Sequence, residues 1–335
     1  MLTFPDHYFE NEVRCGFHIT AMMKRFWAAQ LEVLSWIDSV CRKYDIHYIM
    51  CFGSLIGTVR HKGFIPWDDD IDIGMLRGDY NRFIEVLPRE IPPYISTKSL
   101  LPGASQPKEM IFGIGNGNRL DTTSFFLNRF HGCPYAVMVD LYVFDKIPTN
   151  PDDYAYQDRL IRLLDRMLML QWDADSNSLT KMTFNEYDSI RKYLEEELDY
   201  SFTDNEPMTL QILRLLDLAC GLCEDCNSER VENREQMLYY GDRGFCVEHF
   251  NDRLLIPYEE LMNVPVPRNY DQLLRNIYGD YYIPVKYISQ HPYPQYCQQR
   301  EILYTEYNKR NLQVPAEFLE YGPGGELILD PDSLR

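Results

Sequence analysis

From residue 19 to 44 the apolar residues Met23, Phe26, Trp27, Val33, Ile37, Val40 and Tyr44 return at helical spacing, which predicts one amphipathic helix. The period then shortens. Residues 46–51 and 71–75 are apolar runs of strand length. Tyr80, Phe83, Ile84 and Leu87 share one side of a helix over 78–87, and the proline-rich stretch 88–107 reads as loop. Residues 110–118 form a strand that runs into the glycine-rich GIGNGN, where a hairpin turn is expected rather than a nucleotide loop. The stretch 136–147, AVMVDLYVFDKI, is a strongly apolar strand interrupted by Asp140 and Asp145. Three amphipathic helices with acidic polar sides follow at 153–172, 184–198 and 207–226, and a shorter helix at 270–277 stops at Gly279. This order predicts an α/β (α+β) fold, a mixed-sheet core with flanking helices and an additional helical region.

The polar residues between these runs concentrate in one stretch, 51–75, CFGSLIGTVRHKGFIPWDDDIDIGM. Gly53-Ser54 follow the first strand, where backbone N–H groups at a strand-to-helix turn can cradle phosphate. The helix begun there is expected to end at Gly63 and Pro66. Asp68, Asp69, Asp70 and Asp72 then lead into the second strand. Residues two apart in a strand share a face, so Asp70 and Asp72 project together, and paired carboxylates suit Mg²⁺ or Mn²⁺. A solvated acidic turn is the alternative, but Trp67, Ile71 and Ile73 surround the run with core-type residues. Arg60 and Lys62 bring positive charge beside the acids, for phosphate or, for Arg60, for a bidentate carboxylate pair. His61 reads as a hydrogen-bonded loop histidine, and Trp67 as packing beneath the aspartate loop.

The run from Gly53 to Asp72 resembles the signature of the LicD family, which joins a Gly-Ser or Gly-Thr turn, Arg-His-Lys-Gly and Trp-Asp-Asp-Asp-Ile-Asp. The resemblance implies a nucleotidyltransferase-type fold with a third carboxylate from a neighbouring strand. The family's Ile-Asp-Ile-Phe-Pro-Leu-Asp falls on Val139 to Asp145, which makes Asp140 that third acid and a candidate general base. Tyr142-Val143 departs from Phe-Pro. Asp70, Asp72 and Asp140 are thus the expected catalytic metal ligands, and Gly53, Ser54, Arg60 and Lys62 the expected donor-binding residues. Val264 to Lys286 is similar to the family's C-terminal pattern, and His291 to a histidine after it. The implied activity is transfer of a phospho-alcohol, phosphocholine first, from CDP-choline or another CDP-alcohol to a hydroxyl of a cell-surface glycan, releasing CMP. Nucleotidyl transfer, or nucleotide binding without catalysis on the same fold, are the alternatives. A quaternary ammonium would sit on aromatic faces, for which Tyr281 and Tyr282 are the first to inspect, although core packing also explains them.

The chain of 335 residues divides into an N-terminal arm (1–18), a catalytic core (19–150), a helical insertion (151–235), a second family-like segment (236–295) and a tail (296–335). A net charge of −18 argues against nucleic-acid partners and against tight adhesion to anionic membranes. No leader-like or membrane-spanning apolar run is present in the sequence, so a soluble cytoplasmic protein is expected, with room for peripheral association at the inner face of the membrane. Nine cysteines, an odd number, fit reduced thiols. Cys220, Cys223 and Cys226 form C-x2-C-x2-C, with Cys246 and His249 downstream; the cluster is either a structural zinc site or the flank of a helix.

Overall fold

The computed structural model describes residues 1–105, 107, 110–286, 293–322, 324 and 327. His291 and part of the Gly322–Gly325 turn lie outside them. The first 18 residues are not a loose arm. A short hairpin, β1 (Glu12–Arg14) and β2 (Phe17–Ile19), is held by Lys24–Glu12 and Arg14–Glu259 ion pairs. Helix α1 (Ala21–Tyr44) starts where the Thr20 hydroxyl accepts the Met23 N–H and ends at Asp45 in the left-handed conformation. Its apolar face is buried as the periodicity requires.

The predicted 46–51 strand is ordered as a strand only at β3 (Ile49–Met50). Helix α2 (Phe52–Ile56) begins before Gly53 rather than after Ser54, and continues as a π-helical turn over Gly57–His61. Strand β4 (Asp72–Leu76) and helix α3 (Arg77–Glu90) follow. The expected loop 88–107 contains β5 (Ser96–Lys98), which pairs antiparallel with β6 (Phe112–Gly115). The glycine-rich turn is not a tight hairpin, because helix α4 (Ser124–Arg129) intervenes before β7 (Met138–Lys146).

The sheet has six strands in the order β3-β4-β7-β6-β5, with β8 (Val231–Glu232) also paired to β7. Only β4 and β7 are parallel neighbours along that path. Helices α5 (Pro151–Asp175), α6 (Lys181–Glu197) and α7 (Met208–Gly221) form the helical region. Short helices α8 (Gln236–Tyr240) and α9 (Val247–Asn251) lead to the hairpin β9 (Arg253–Tyr258) and β10 (Met262–Pro267), then α10 (Tyr270–Tyr278). Helix α11 (Cys297–Lys309) makes the C-terminal segment part of the core. There the fully buried Glu320 accepts from Thr20, Tyr296 and Arg300 at 2.6–2.7 Å. Among the described residues no helix is long and apolar enough to cross a membrane.

Strand β7 carries its two carboxylates on opposite faces, since Asp140 and Asp145 are an odd number of residues apart. Asp145 is buried and takes a bidentate pair from Arg77 (2.7 and 2.9 Å), whose third nitrogen reaches Asp217 of α7 at 2.7 Å. This bond network fastens the helical region to the sheet. Asp140 faces the other way.

Candidate active site

The site is a row across the sheet. Strand register places Lys98 opposite Gly113, Gly113 opposite Asp140, and Asp140 beside Asp72. Residues in register across a sheet share a face. Gly113 makes room for the Met138 side chain to cross between the strands beside Asp140: a Cβ there would lie 2.3 Å from Met138 Sδ and 3.5 Å from Asp140 Oδ1. Lys98 Nζ stands 3.9 Å from Asp140 Oδ1. Lys98 escapes sequence reading because it sits in a stretch whose prolines read as loop.

On the other side of Asp72, the Cys51 N–H donates to the Asp72 carbonyl at 3.0 Å. Phe52, Gly53 and Ser54 follow at once, so pairing of β3 with β4 brings the Gly-Ser turn to the acids. The Ser54 hydroxyl accepts the Asp72 N–H at 2.8 Å. A Cβ on Gly53 would lie 2.9 Å from Asp68 Oδ2, so glycine lets the aspartate loop approach the start of α2. Helix α1 supports the same loop. Trp27 Nε1 donates to the Asp68 carbonyl at 3.2 Å, and Gln30 Nε2 to the Asp69 carbonyl at 2.9 Å and the Met138 carbonyl at 3.3 Å. In the sequence Trp27 is visible only as an apolar helical position.

Asp72 is buried, whereas Asp68, Asp70 and Asp140 are half-buried. Burial, then repulsion from Asp70, Asp140 and Asp68, pushes the Asp72 carboxyl well above its usual range, and a hydrogen bond with the Tyr142 side chain opposes this. Asp68 is raised likewise, by burial first and then by Asp70 and Asp69. Tyr142, the departure from the family's phenylalanine, thus touches the acid site. A crowd of oxygen donors that resist ionising together is the chemistry that a hard divalent cation relieves. Among the described residues no group of three or more His, Cys, Asp or Glu side chains is gathered closely enough to enclose a metal ion.

Arg60 makes no carboxylate pair among the described residues. Its Nη1 donates to the Tyr281 carbonyl at 2.5 Å and its Nε to His61 Nε2 at 2.9 Å, so it joins the π-turn to the segment after α10. His61 is held neutral, its pKa lowered to about 4 by burial and then by Arg60 and Arg14. Lys62 is exposed in the left-handed conformation at the end of the turn, and makes no ion pair among the described residues. Trp67 lies edge-on to Phe17. Tyr281 is buried with its hydroxyl donating to Asp271 at 2.9 Å, and the exposed Tyr282 stacks on it.

The cysteine cluster straddles the end of α7. Cys220 is buried in the helix, while Cys223 and Cys226 lie in the turn beyond Gly221, so the helix-flank reading holds for the first thiol alone. Cys246 and His249 cap α9.

A mixed sheet with acids on adjacent parallel strands, entered from a Gly-Ser turn, is the arrangement that the LicD resemblance implies for a nucleotidyltransferase-type domain. Residues 45–111 match the LicD/FKTN/FKRP nucleotidyltransferase domain family. It is 31% identical over 121 residues to the lipopolysaccharide cholinephosphotransferase LicD of Haemophilus influenzae, covering 36% of this chain and 43% of that protein. An uncharacterized protein of Rickettsia typhi is 36% identical over 92 residues, 26% of this chain and 30% of its own. A third, from Rickettsia prowazekii, is 45% identical over 47 residues, 14% of this chain and 18% of its own. The chain thus spans less than half the length of each of these relatives.

Proposed function

We propose that the protein is a divalent-cation-dependent transferase that moves a phospho-alcohol, phosphocholine foremost, from a CDP-alcohol to a sugar hydroxyl of a cell-surface glycan, leaving CMP. The observation that carries this reading is the register of β4 on β7, which sets Asp72 beside Asp140 on one face. Asp70, Asp72 and Asp140 would hold Mg²⁺ or Mn²⁺, which when bound supplies charge neutralisation at a donor pyrophosphate. Ser54 fixes the Asp72 backbone, and the backbone N–H groups of the Gly53-Ser54 turn would bind donor phosphate. Asp140 takes the proton of the acceptor hydroxyl, with the Lys98 ammonium nearby to compensate charge. Lys62 adds attraction for an anionic donor in an acidic protein. Choline is favoured among alcohols because the Haemophilus relative is named as a cholinephosphotransferase.

The test is to incubate the protein with CDP-choline, Mg²⁺ and candidate glycans, and to identify the nucleotide released and the mass added to the sugar. CMP with phosphocholine on the glycan is expected. CMP on the glycan with phosphocholine released would reverse the reaction type. Asp72→Asn and Asp140→Asn should each lower turnover by roughly a hundredfold or more, because amides lack the charge that binds the cation. Near-normal turnover in both would remove the acid row from the chemistry.

A further inference from the structure

We infer that the cavity beside Asp72 seats the nucleoside diphosphate of the donor, with Arg243 gripping a phosphate and Glu232 aiming it. The inference rests on the nucleotide-donor reading above. The cavity, about 480 Å³, is lined in part by Phe52, Asp72, Tyr142, Arg243, Tyr278 and Asp242, the last paired with Arg230. Its volume is in the range of small-ligand sites.

Arg243 is held from one side. Its Nε and Nη2 donate to Glu232 Oε1 at 3.3 and 2.9 Å, its backbone N–H to Glu232 Oε2 at 2.9 Å, and the guanidinium lies 4.3 Å over the Phe52 ring. Glu232 is fully buried and Arg243 is 10% exposed at its side chain. A buried ion pair stabilises a fold no better than apolar residues of similar volume, so its place on a cavity wall calls for another reason. The Nη1 edge is outside the Glu232 fork. Arg243 and Asp72 border one cavity with opposite charges, so a pyrophosphate fits between the guanidinium and the cation proposed for the acids. Tyr278, about 43% exposed, supplies a flat face for a base.

The experiment is calorimetric titration of the full chain with CDP, UDP, ADP, pyrophosphate and phosphocholine at fixed Mg²⁺, and with Mg²⁺ alone. Arg243→Gln should weaken CDP and pyrophosphate roughly 10- to 100-fold, leave Mg²⁺ binding unchanged, and be partly rescued by Arg243→Lys. Glu232→Gln should weaken CDP in the same way without altering Mg²⁺ affinity. Tyr278→Ala, at an exposed rim position, should weaken CDP but not pyrophosphate. CDP affinity unchanged in a folded Arg243→Gln protein, or phosphocholine binding lost in its place, overturns the assignment while leaving the donor reading intact. Arg243-dependent binding of UDP or ADP in preference to CDP supports the assignment and overturns cytidine instead.

Discussion

His61 illustrates how a charged-looking motif residue becomes neutral. Its Nε2 accepts from Arg60, and burial beside Arg60 and Arg14 lowers its pKa to about 4. The unfolded chain takes up its proton near pH 6.5, so between about 6.5 and 4 the unfolded state binds more protons, and stability falls as pH falls through that window. His61→Gln keeps an acceptor for Arg60 without the titration. Urea unfolding at a series of pH values should therefore show a shallower loss between pH 6.5 and 4 in the variant; identical slopes would mean that His61 is already charged in the fold. At this scale the sequence picks out candidate acids but not the partners they have. Asp70, Asp72 and Asp140 stand out because carboxylates interrupt apolar runs. Lys98, Gln30 and Arg243 carry no such contrast, and only strand pairing or helix packing brings them near.

Long periodic elements were legible and short ones were not. Helix α1 and strand β7 are long enough to be read from their apolar residues, although α1 is buried on all sides over residues 26–34 rather than on one face. Strand β5 has three residues and β8 has two, too few for alternation to register, and they exist because β6 and β7 offer them edges. The fastening of the helical region belongs to this scale too. Arg77 sits at the start of α3 and binds acids from β7 and α7. Arg77→Leu should lower stability by about 3–5 kcal/mol, since it strands the buried Asp145. Adding Asp145→Leu should restore most of the loss, read by denaturant midpoints. If the single variant costs nothing, the helical region is held by apolar packing alone.

For the whole molecule, 51 acidic against 33 basic residues is the dominant electrostatic fact. Like charge in excess strains the compact state, and salt screens it over a Debye length of about 10 Å at 0.1 M. The thermal midpoint should therefore climb between low and moderate NaCl in scanning calorimetry; a midpoint that falls would show that ion pairs such as Arg14–Glu259 outweigh the repulsion. Arg14 and Arg60 both tie early loops to late ones, Glu259 and Tyr281 respectively. The 53–72 stretch and the segment near residue 280 are accordingly one physical unit, although more than 200 residues separate them.

The opposed carboxylates of β7 also bear on how the chain avoids misassembly. Were the strand to slide by one residue against β4, Asp140 would turn away from Asp72 and Asp145 away from Arg77, so one error would forfeit two unrelated contacts. A two-residue slide keeps the faces but moves Asp145 about 6–7 Å along the strand, beyond the guanidinium. Either shift of β7 thus costs at least one buried pairing, which favours the native alignment over its nearest neighbours.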